Sequence, residues 1–383
     1  MRKVLAVHND DPLILNLLGL VLLERANYSE AEPLFKRSLA IDEKARGPEH
    51  LDVATELNNL ALLYKTQGKY AEAEPLYKQS LAIAEKALGP QHPEVATKLN
   101  NLAVLYAELG KYEKAEALYK RALAIDENTL ASDSPALATD LNNLALLYDE
   151  QSKYEKAEPL YKRALAIDEK TLGPEHPVVA TTLNNLALLY KHQKKYVEAE
   201  PLYKRALAID EKVLGAEHPA VATKLNNLAA LYNEESKYEE AEALYKRALA
   251  IDEKALGPDH QGVATDLNNL ALLYDEQGKH VVAEPLYKRA LAIDEKALGP
   301  EHPNVGRDLS NLALLYKHQE KYEQAESLYK RSLTIKINGL GPDHPSVAIT
   351  AENLAVLLRK LSRNDEAKVY EEQAAHIRAK QNR

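Results

Sequence analysis

The octapeptide LNNLALLY at Leu57–Tyr64 places two adjacent asparagines inside an otherwise apolar run with helical spacing. Asparagine is a mediocre residue for a helix interior, because its side chain competes for hydrogen bonds of the nearby backbone. Nevertheless, LNNLA occurs unchanged in six stretches of the chain. This recurrence defines a repeat, and the role of the asparagine pair in that repeat has to be explained.

The asparagine pair recurs with a period of 42 residues, and nine units fit after residue 11. Each unit is predicted to contain two helices. In the second unit the first helix is predicted from Val53 to Gln67, and the turn Gly68-Lys69-Tyr70 ends it. A second helix then runs into LGPQHP at Leu88–Pro93, where the Gly-Pro pair prevents its continuation.

A continuous coiled coil is the alternative, since 42 residues are also a whole number of heptads. It would need unbroken helix across every unit boundary. Gly-Pro pairs interrupt the boundaries at residues 47–48, 89–90, 173–174, 257–258, 299–300 and 341–342. The sequence therefore favours stacked helical hairpins.

Residues 12–383 are predicted to form a single array of repeats. Its last helix, which begins near Asn364, is polar and is expected to cap the array. Residues 1–11 are interpreted as the remnant of a preceding repeat's turn, because Lys3–Asp10 resembles Lys212–Ala220. The predicted units lie near residues 12–53, 54–95, 96–137, 138–179, 180–221, 222–263, 264–305, 306–347 and 348–383.

Composition excludes several functional classes. The net charge is −9 with lysine and arginine spread along the chain, so no basic stripe for nucleic acid is expected. The absence of cysteine excludes disulfides, thiolate metal sites and a cysteine nucleophile. No stretch has the length and apolarity of a membrane span, and Leu13–Leu23 fits a repeat helix better than a signal peptide. We expect a cytoplasmic protein.

The pattern LNNLALLY…QGKY…AEPLYKRALAIDEKALGPEHP resembles the tetratricopeptide repeat, and is most similar to the 42-residue variety of kinesin light chains and many bacterial repeat proteins. The resemblance covers essentially the whole chain and implies an all-α, right-handed α-solenoid, or superhelix, of nine hairpins. Kinesin light chains carry a heptad coiled coil before their repeats, and this sequence has none, so we do not expect a motor subunit. In the second unit the family's packing positions are Leu60, Ala61, Tyr64, Gly68, Tyr70, Ala73, Tyr77 and Ser80.

The resemblance also implies a binding site, since tetratricopeptide proteins bind peptides on the concave wall formed by their first helices. Helical geometry places Asn58 on a stripe opposite the packing residues and Asn59 on its flank. An amide both donates and accepts hydrogen bonds, so one asparagine per unit can bind the backbone of an extended peptide. The alternative is that the asparagines cap helices or bridge adjacent repeats.

The predicted peptide-binding residues are of three kinds. The asparagines are expected to give affinity, while apolar and charged residues of the same wall give selectivity. The alternative for the charged residues is an ordinary solvated face without a binding role. The set comprises the first asparagines Asn58, Asn100, Asn142, Asn184, Asn226 and Asn268, the second asparagines Asn101, Asn143, Asn185, Asn227 and Asn269, the leucines Leu146 and Leu188, and the charged residues Lys191, Asp149 and Asp275.

Histidines recur in the turns between repeats, and we expect them to bond helix ends. Equivalent turns are two helices apart, and packed helices lie about 8–10 Å from one another, too far for shared zinc ligands. Acids recur in the AIDEK segments of the second helices and are therefore expected on the surface, because a catalytic pair should occur once. We predict no metal, no cofactor and no enzymatic activity. The histidines are His50, His92, His176, His218, His260, His302 and His344.

The resulting prediction is a non-catalytic scaffold or adaptor that binds an extended segment of another protein, and neither nucleic acid nor membrane. Two alternatives stay open. One is a structural array that self-associates through its terminal repeats, with which the leucine-rich Leu13–Leu23 is compatible. The other is a sensor module of a larger signalling protein, whose partner domain would precede Met1.

Overall fold

A computed structural model describes residues 10–381, and these residues form α-helices joined by short turns, without strands. The prediction of an all-α chain of consecutive hairpins is confirmed. Contacts group the chain into two compact units, the first ending at Ile209 and the second beginning at Asp210. The segment interpreted as a remnant repeat lies, up to residue 9, outside the described residues.

The described part of the first unit, from residue 10 on, contains four complete hairpins and the first helix of the next one. The helix α10 (Tyr196–Leu214) lies across the border of the two units. Odd-numbered helices are the first helices of the repeats (A helices), and even-numbered ones are the second (B helices). The helices before α10 are α1 (Pro12–Glu24), α2 (Tyr28–Arg46), α3 (Leu51–Thr66), α4 (Tyr70–Leu88), α5 (Pro93–Glu108), α6 (Tyr112–Thr129), α7 (Pro135–Glu150), α8 (Tyr154–Leu172) and α9 (Pro177–His192).

The second unit contains the remaining four hairpins in the same arrangement. Within each unit, an A helix packs against its own B helix, and that B helix packs against the next A helix. The helices are α11 (Pro219–Glu234), α12 (Tyr238–Ala255), α13 (Gln261–Glu276), α14 (His280–Leu298), α15 (Pro303–His318), α16 (Tyr322–Leu340), α17 (Pro345–Lys360) and α18 (Asn364–Gln381).

The turn inside each hairpin needs a residue with positive φ. Gly68 has φ 69°, and the amide of Lys69 then donates to the carbonyl of Tyr64 at 2.8 Å, which ends α3. Glycine adopts this conformation without a steric penalty, whereas Ser152 takes the same place at φ 56° in the fourth repeat. The turn therefore depends on the hydrogen bond pattern more than on glycine itself.

The turn histidines cap the A helices, as predicted. His50 Nδ1 accepts a hydrogen bond from the amide of Asp52 at 3.2 Å, so α3 begins at Leu51, two residues before the predicted start. In the fourth repeat the divergent turn places Ser134 at this position, and its hydroxyl accepts from Ala136. The other capping histidines are His92, His176, His218, His260, His302 and His344.

Small and aromatic side chains alternate in the core of each unit. In the first unit Ala61 and Ala73 allow α3 and α4 to approach closely, and the buried ring of Tyr77 fills the space beside them. Glu32 links neighbouring repeats at the surface by accepting from the Tyr64 hydroxyl at 3.1 Å. The same tyrosine–glutamate bond recurs at Tyr106, Tyr148, Tyr190, Tyr274 and Tyr316.

Candidate functional site

Asparagines at the first position of the pair bridge neighbouring A helices in several repeats. The amide nitrogen of Asn100 donates to Asp140 Oδ1 at 2.5 Å, and that of Asn268 donates to Asp308 Oδ1 at 2.8 Å. Asn16 donates to Glu56 and Asn226 donates to Asp266 in the same way. Asn58, Asn184 and Asn268 are buried, so this row of amides is part of the packing between repeats.

The second asparagine of the pair binds the first asparagine of the preceding repeat. Asn101 Nδ2 donates to Asn58 Oδ1 at 2.8 Å, and Asn185 Nδ2 donates to Asn142 Oδ1 at 3.2 Å. The bridging role left open by the sequence is thus present for these pairs. Peptide binding by the same asparagines stays a prediction.

Two second asparagines, Asn143 and Asn269, differ from the others. Within residues 10–381 their side chains form no hydrogen bond, although Asn100 and Asn226 in the preceding repeats donate to carboxylates as Asn268 does. The Oδ1 atoms of Asn100 and Asn226 are buried without a partner. Asn143 and Asn269 are therefore half-buried amides whose donors and acceptors are available; Asn227, the remaining predicted second asparagine, is half-buried and bonded.

Apolar side chains lie one turn further along the same A-helix face. Leu146 is 37% exposed and Leu272 is 39% exposed, each three residues after an available asparagine. Leu188 is half-buried at the equivalent position of α9. Repeats four and seven thus present the same pair of groups, an amide and a leucine, in A helices whose sequences are identical at Ala138–Gln151 and Ala264–Gln277.

The charged residues predicted to give selectivity are largely paired within the chain. His192 Nδ1 lies 3.0 Å from Asp149 Oδ1. Asp275 is buried between His280 at 2.9 Å and His318 at 3.1 Å. Lys191 is half-buried and also interacts with other residues. Asp149–His192 and Asp275–His318 connect successive repeats, whereas Asp275–His280 lies within one repeat. Asp149 and Asp275 therefore offer little free charge to a ligand.

A buried polar slot lies between each repeat and the next. We define a slot by two residues: one from the second half of a B helix, and one from the A helix that follows it. The pairs are Asp42/Glu56, Ala84/Lys98, Asp126/Asp140, Asp168/Thr182, Asp210/Lys224, Asp252/Asp266, Asp294/Asp308 and Lys336/Thr350. All of these side chains are buried except that of Lys98, which is half-buried.

Four slots hold two acids. Burial raises the pKa of Asp140 to about 7, and the neighbouring Asp126 contributes to the same rise. Burial also raises the pKa of Asp266 to about 7 and that of Asp252 to about 6. Two adjacent carboxylates in an apolar surrounding cannot both ionise cheaply, so such a pair retains a proton near neutral pH.

One further slot is compensated by opposite charges, and another pairs a lysine with a hydroxyl group. Lys224 Nζ lies 3.2 Å from Asp210 Oδ2, and both side chains are buried. In the last slot Lys336 Nζ donates to Thr350 Oγ1 at 2.8 Å, and burial lowers the pKa of Lys336 to about 8. The slot therefore accommodates an ammonium group on either of its two sides.

The expectation that the acids of the AIDEK segments are on the surface is wrong for the aspartate. Asp42, Asp126, Asp168, Asp210, Asp252 and Asp294 are all buried. These aspartates are at helix positions that face the next A helix, one turn beyond a buried alanine or serine. The sequence carries a signal for this burial in the residue fourteen positions after each aspartate. That residue, the partner in the next A helix, is polar in every repeat.

None of the helices within residues 10–381 is long and apolar enough to cross a membrane. Among the same residues no group of three or more histidine, aspartate or glutamate side chains could hold a metal ion.

Comparison with solved structures finds similar helical repeats. The chain is 29% identical to nearly identical TPR-like repeats assigned to a kinesin light chain of Podosopora anserina, with a TM-score of 0.45, covering 54% of this chain and 97% of that one. It is 27% identical to BtubC (BKLC) from P. vanneervenii, with a TM-score of 0.46, covering 60% and 90%. A Rap protein complexed with Competence and Sporulation Factor shares the fold over 97% of this chain and 98% of its own, at 14% identity and a TM-score of 0.63.

Comparison with curated protein sequences gave no match. A family model described as tetratricopeptide repeat matches eight overlapping stretches, at residues 10–86, 56–128, 94–170, 137–212, 178–254, 220–296, 277–338 and 309–380. The matches cover nearly all of the sequence, in agreement with the hairpins described above. The chain belongs to the tetratricopeptide repeat family, whose members generally mediate protein–protein interactions.

Proposed function

We propose that the protein is a non-catalytic, cytoplasmic scaffold that binds an extended segment of a partner protein along the exposed face of its A helices. One observation carries the proposal. In repeats four and seven an unbonded asparagine amide lies one turn from an exposed leucine, at Asn143/Leu146 and at Asn269/Leu272. Neither group is required by the packing between repeats.

Such a pair suits an extended peptide. The amide can donate to a backbone carbonyl and accept from a backbone N–H, which holds a strand without reading its sequence. The leucine gives an apolar side chain a surface to cover. The likeness to the Rap protein concerns the fold alone, so the proposal rests on these residues.

The test uses a phage library of random peptides, selected on the whole protein. Selected peptides are then measured against Asn143→Ala/Leu146→Ala and Asn269→Ala/Leu272→Ala. We expect affinity to fall about tenfold or more for at least one double variant, since each lost contact contributes about 1 kcal/mol. Circular dichroism and thermal unfolding should stay as in the wild type, because these side chains are outside the packing.

Asn101→Ala is the matched control, since Asn101 has the same position in the repeat but bonds to Asn58. It should lower stability, and it should reduce peptide affinity less than the more affected double variant does. A library that yields no peptide above background, or peptides that bind both double variants as well as the wild type, would contradict the proposal.

Self-association is a second candidate, favoured by the outer face of α1. Leu13 is 67% exposed and Leu17 is 54% exposed. Val21 is also exposed, whereas Leu63, at the equivalent position of the next A helix, is buried against the preceding repeat. A second copy of the chain would cover this apolar face. Sedimentation of the wild type and of Leu17→Glu tests it: a dimer lost in the variant supports it, and a wild-type monomer at about 100 μM excludes it.

A further inference from the structure

The first slot, between α1, α2 and α3, is the one we single out because it opens into a cavity of about 290 Å³. The cavity is lined by Asp11, Asn16, Asp42, Arg46, Asp52 and Glu56, together with the exposed Leu13 and Thr55. Four carboxyl groups therefore surround a space that contains one guanidinium group. Of these groups Asp42 and Glu56 are buried, Asp52 is half-buried, and Asp11 and Arg46 are exposed.

Glu56 is the side chain with unused capacity in this cavity. It is 4% exposed, and its Oε1 accepts from Asn16 Nδ2 at 2.7 Å. Its Oε2 is buried and has no hydrogen-bond partner. A buried carboxylate oxygen without a donor costs free energy, which a ligand carrying N–H groups would recover.

The remaining acids are partly satisfied. Arg46 Nε lies 3.4 Å from Asp42 Oδ1, and the same guanidinium contacts Asp52. Asp11 accepts from the backbone amide of Leu13 at 3.0 Å as the N-cap of α1. Arg46 is itself unusual, because repeats two to eight all have leucine here: Leu88, Leu130, Leu172, Leu214, Leu256, Leu298 and Leu340.

The chain shows elsewhere which group fits a slot. Lys224 takes the position of Glu56 four repeats later, and its ammonium lies 3.2 Å from Asp210, the equivalent of Asp42. A metal ion fits less well, since among residues 10–381 no three acids or histidines converge on one point. An ammonium has three separate donors, and its alkyl chain would fill the length of the cavity.

We propose that the first slot binds a primary alkylammonium group, which contacts Glu56 and Asp42 as Lys224 contacts Asp210. A lysine side chain of a bound peptide and a free aliphatic diamine both carry this group. The peptide source rests on the proposed function, because Leu13 and Thr55 lie on the same A-helix stripe as the proposed peptide site. The slot itself requires no peptide.

The test is calorimetric titration of the whole protein with 1,5-diaminopentane and, separately, with N-acetyl-lysine methylamide. It is done at pH 8, where Glu56, whose pKa burial raises to about 7, is ionised. We expect saturable binding with a dissociation constant of about 1 mM or below, and none for 1,5-pentanediol. Tighter binding of the diamine identifies a free amine as the ligand, and tighter binding of the lysine derivative identifies a peptide.

Two variants make the test specific. Glu56→Gln keeps the bond to Asn16 but removes the charge, and should weaken binding at least about tenfold. Glu56→Lys should fold with its own ammonium in the slot and should bind neither amine. Glu49→Gln, an exposed acid of the α2–α3 turn, should bind like the wild type.

The proposal is overturned if neither amine binds the wild type below about 10 mM, or if Glu56→Gln binds as well as the wild type. Binding of the diol as tight as that of the diamine also overturns it. The peptide-library test concerns repeats four and seven and uses other variants, so either proposal can fail without the other.

Discussion

Two neighbouring slots of the second unit have the same backbone setting and opposite chemistry. One buries Lys224 against Asp210, and the next buries Asp266 with Asp252. The first is compensated by charge, whereas the second needs a proton because burial raises the pKa of Asp266 to about 7. The repeat therefore keeps a polar residue at this position of the A helix but does not fix its charge. As a result, the stability of each contact between repeats has its own pH dependence.

The whole chain should therefore be most stable near pH 5. Acids with a raised pKa, such as Glu56, Asp140 and Asp266 at about 7, stabilise the fold below their unfolded pKa and lose this contribution as pH rises. We expect a loss of about 5 kcal/mol in unfolding free energy between pH 5 and pH 8.

Carboxylates whose pKa is lowered in the folded protein reduce stability on the acidic side of that optimum. Ion pairing with Lys288 lowers the pKa of Glu284 to about 2, so its contribution is lost as pH falls below about 4.5. Denaturant titrations at several pH values measure both sides. Stability that rises steadily from pH 5 to pH 8 would refute the shared proton in the acidic slots.

Lys224→Asp should convert the first slot of the comparison into the second. The new pair of acids lacks compensation, so we expect a loss of about 4 kcal/mol at pH 8, as when one partner of a buried ion pair is removed. At pH 5 the pair can retain a proton and the loss should be clearly smaller. Equal losses at the two pH values would show that the new pair of acids does not retain a proton. Lys237→Asp, at a partly exposed lysine, is the control.

Asp266→Asn should have the reverse effect on the acidic slot. The new amide oxygen can still accept from Asn226, and the new NH₂ can donate to Asp252, so no proton is needed. We expect a gain of about 2 kcal/mol at pH 8 and little change at pH 5. Thermal unfolding at both pH values measures it, and a loss at pH 8 would contradict the explanation.

Asn268→Ala tests the amide that links the slots to the asparagine pair. Asn268 donates to Asp308 and to the carbonyl of Ala264, and accepts from Asn311. Its removal should cost about 1.5 kcal/mol, because buried polar groups lose their partners. Asn269→Ala is the matched control with no bond to lose, and should cost about 0.5 kcal/mol or less; equal costs would remove the distinction.

Glu284→Gln gives the smallest effect and shows that burial, not charge alone, separates the slots. Glu284 pairs with Lys288 at 2.7 Å and Lys321 at 3.1 Å near the surface. Solvent screens such pairs, so we expect a loss of about 0.5 kcal/mol, reduced further by 0.5 M salt. A loss as large as that of Lys224→Asp would contradict this.

The fold was predictable because period, turns and caps agree in every repeat. The histidine caps followed from the sequence as well, since a side chain just before a helix has free N–H groups to bind. The role of Asn58 did not follow, because helical geometry gives the direction of a side chain but not its neighbour one repeat away. The buried aspartates were missed for the same reason: their partners are fourteen residues distant, and a repeated acid resembles a solvated surface.

The slots also bear on how the number of repeats can change. Joining the chain at the identical stretches Ala138–Gln151 and Ala264–Gln277 would delete 126 residues, three periods, without disturbing the repeat register. The shortened chain would place Asp126 against Asp266, the same two acids that meet in the native slot with Asp140. A tandem duplication that instead joined Lys336 to a second copy of the A helix of Lys98 or Lys224 would bury two ammonium groups beside each other. The buried residues thus restrict which rearrangements of the gene yield a folded protein.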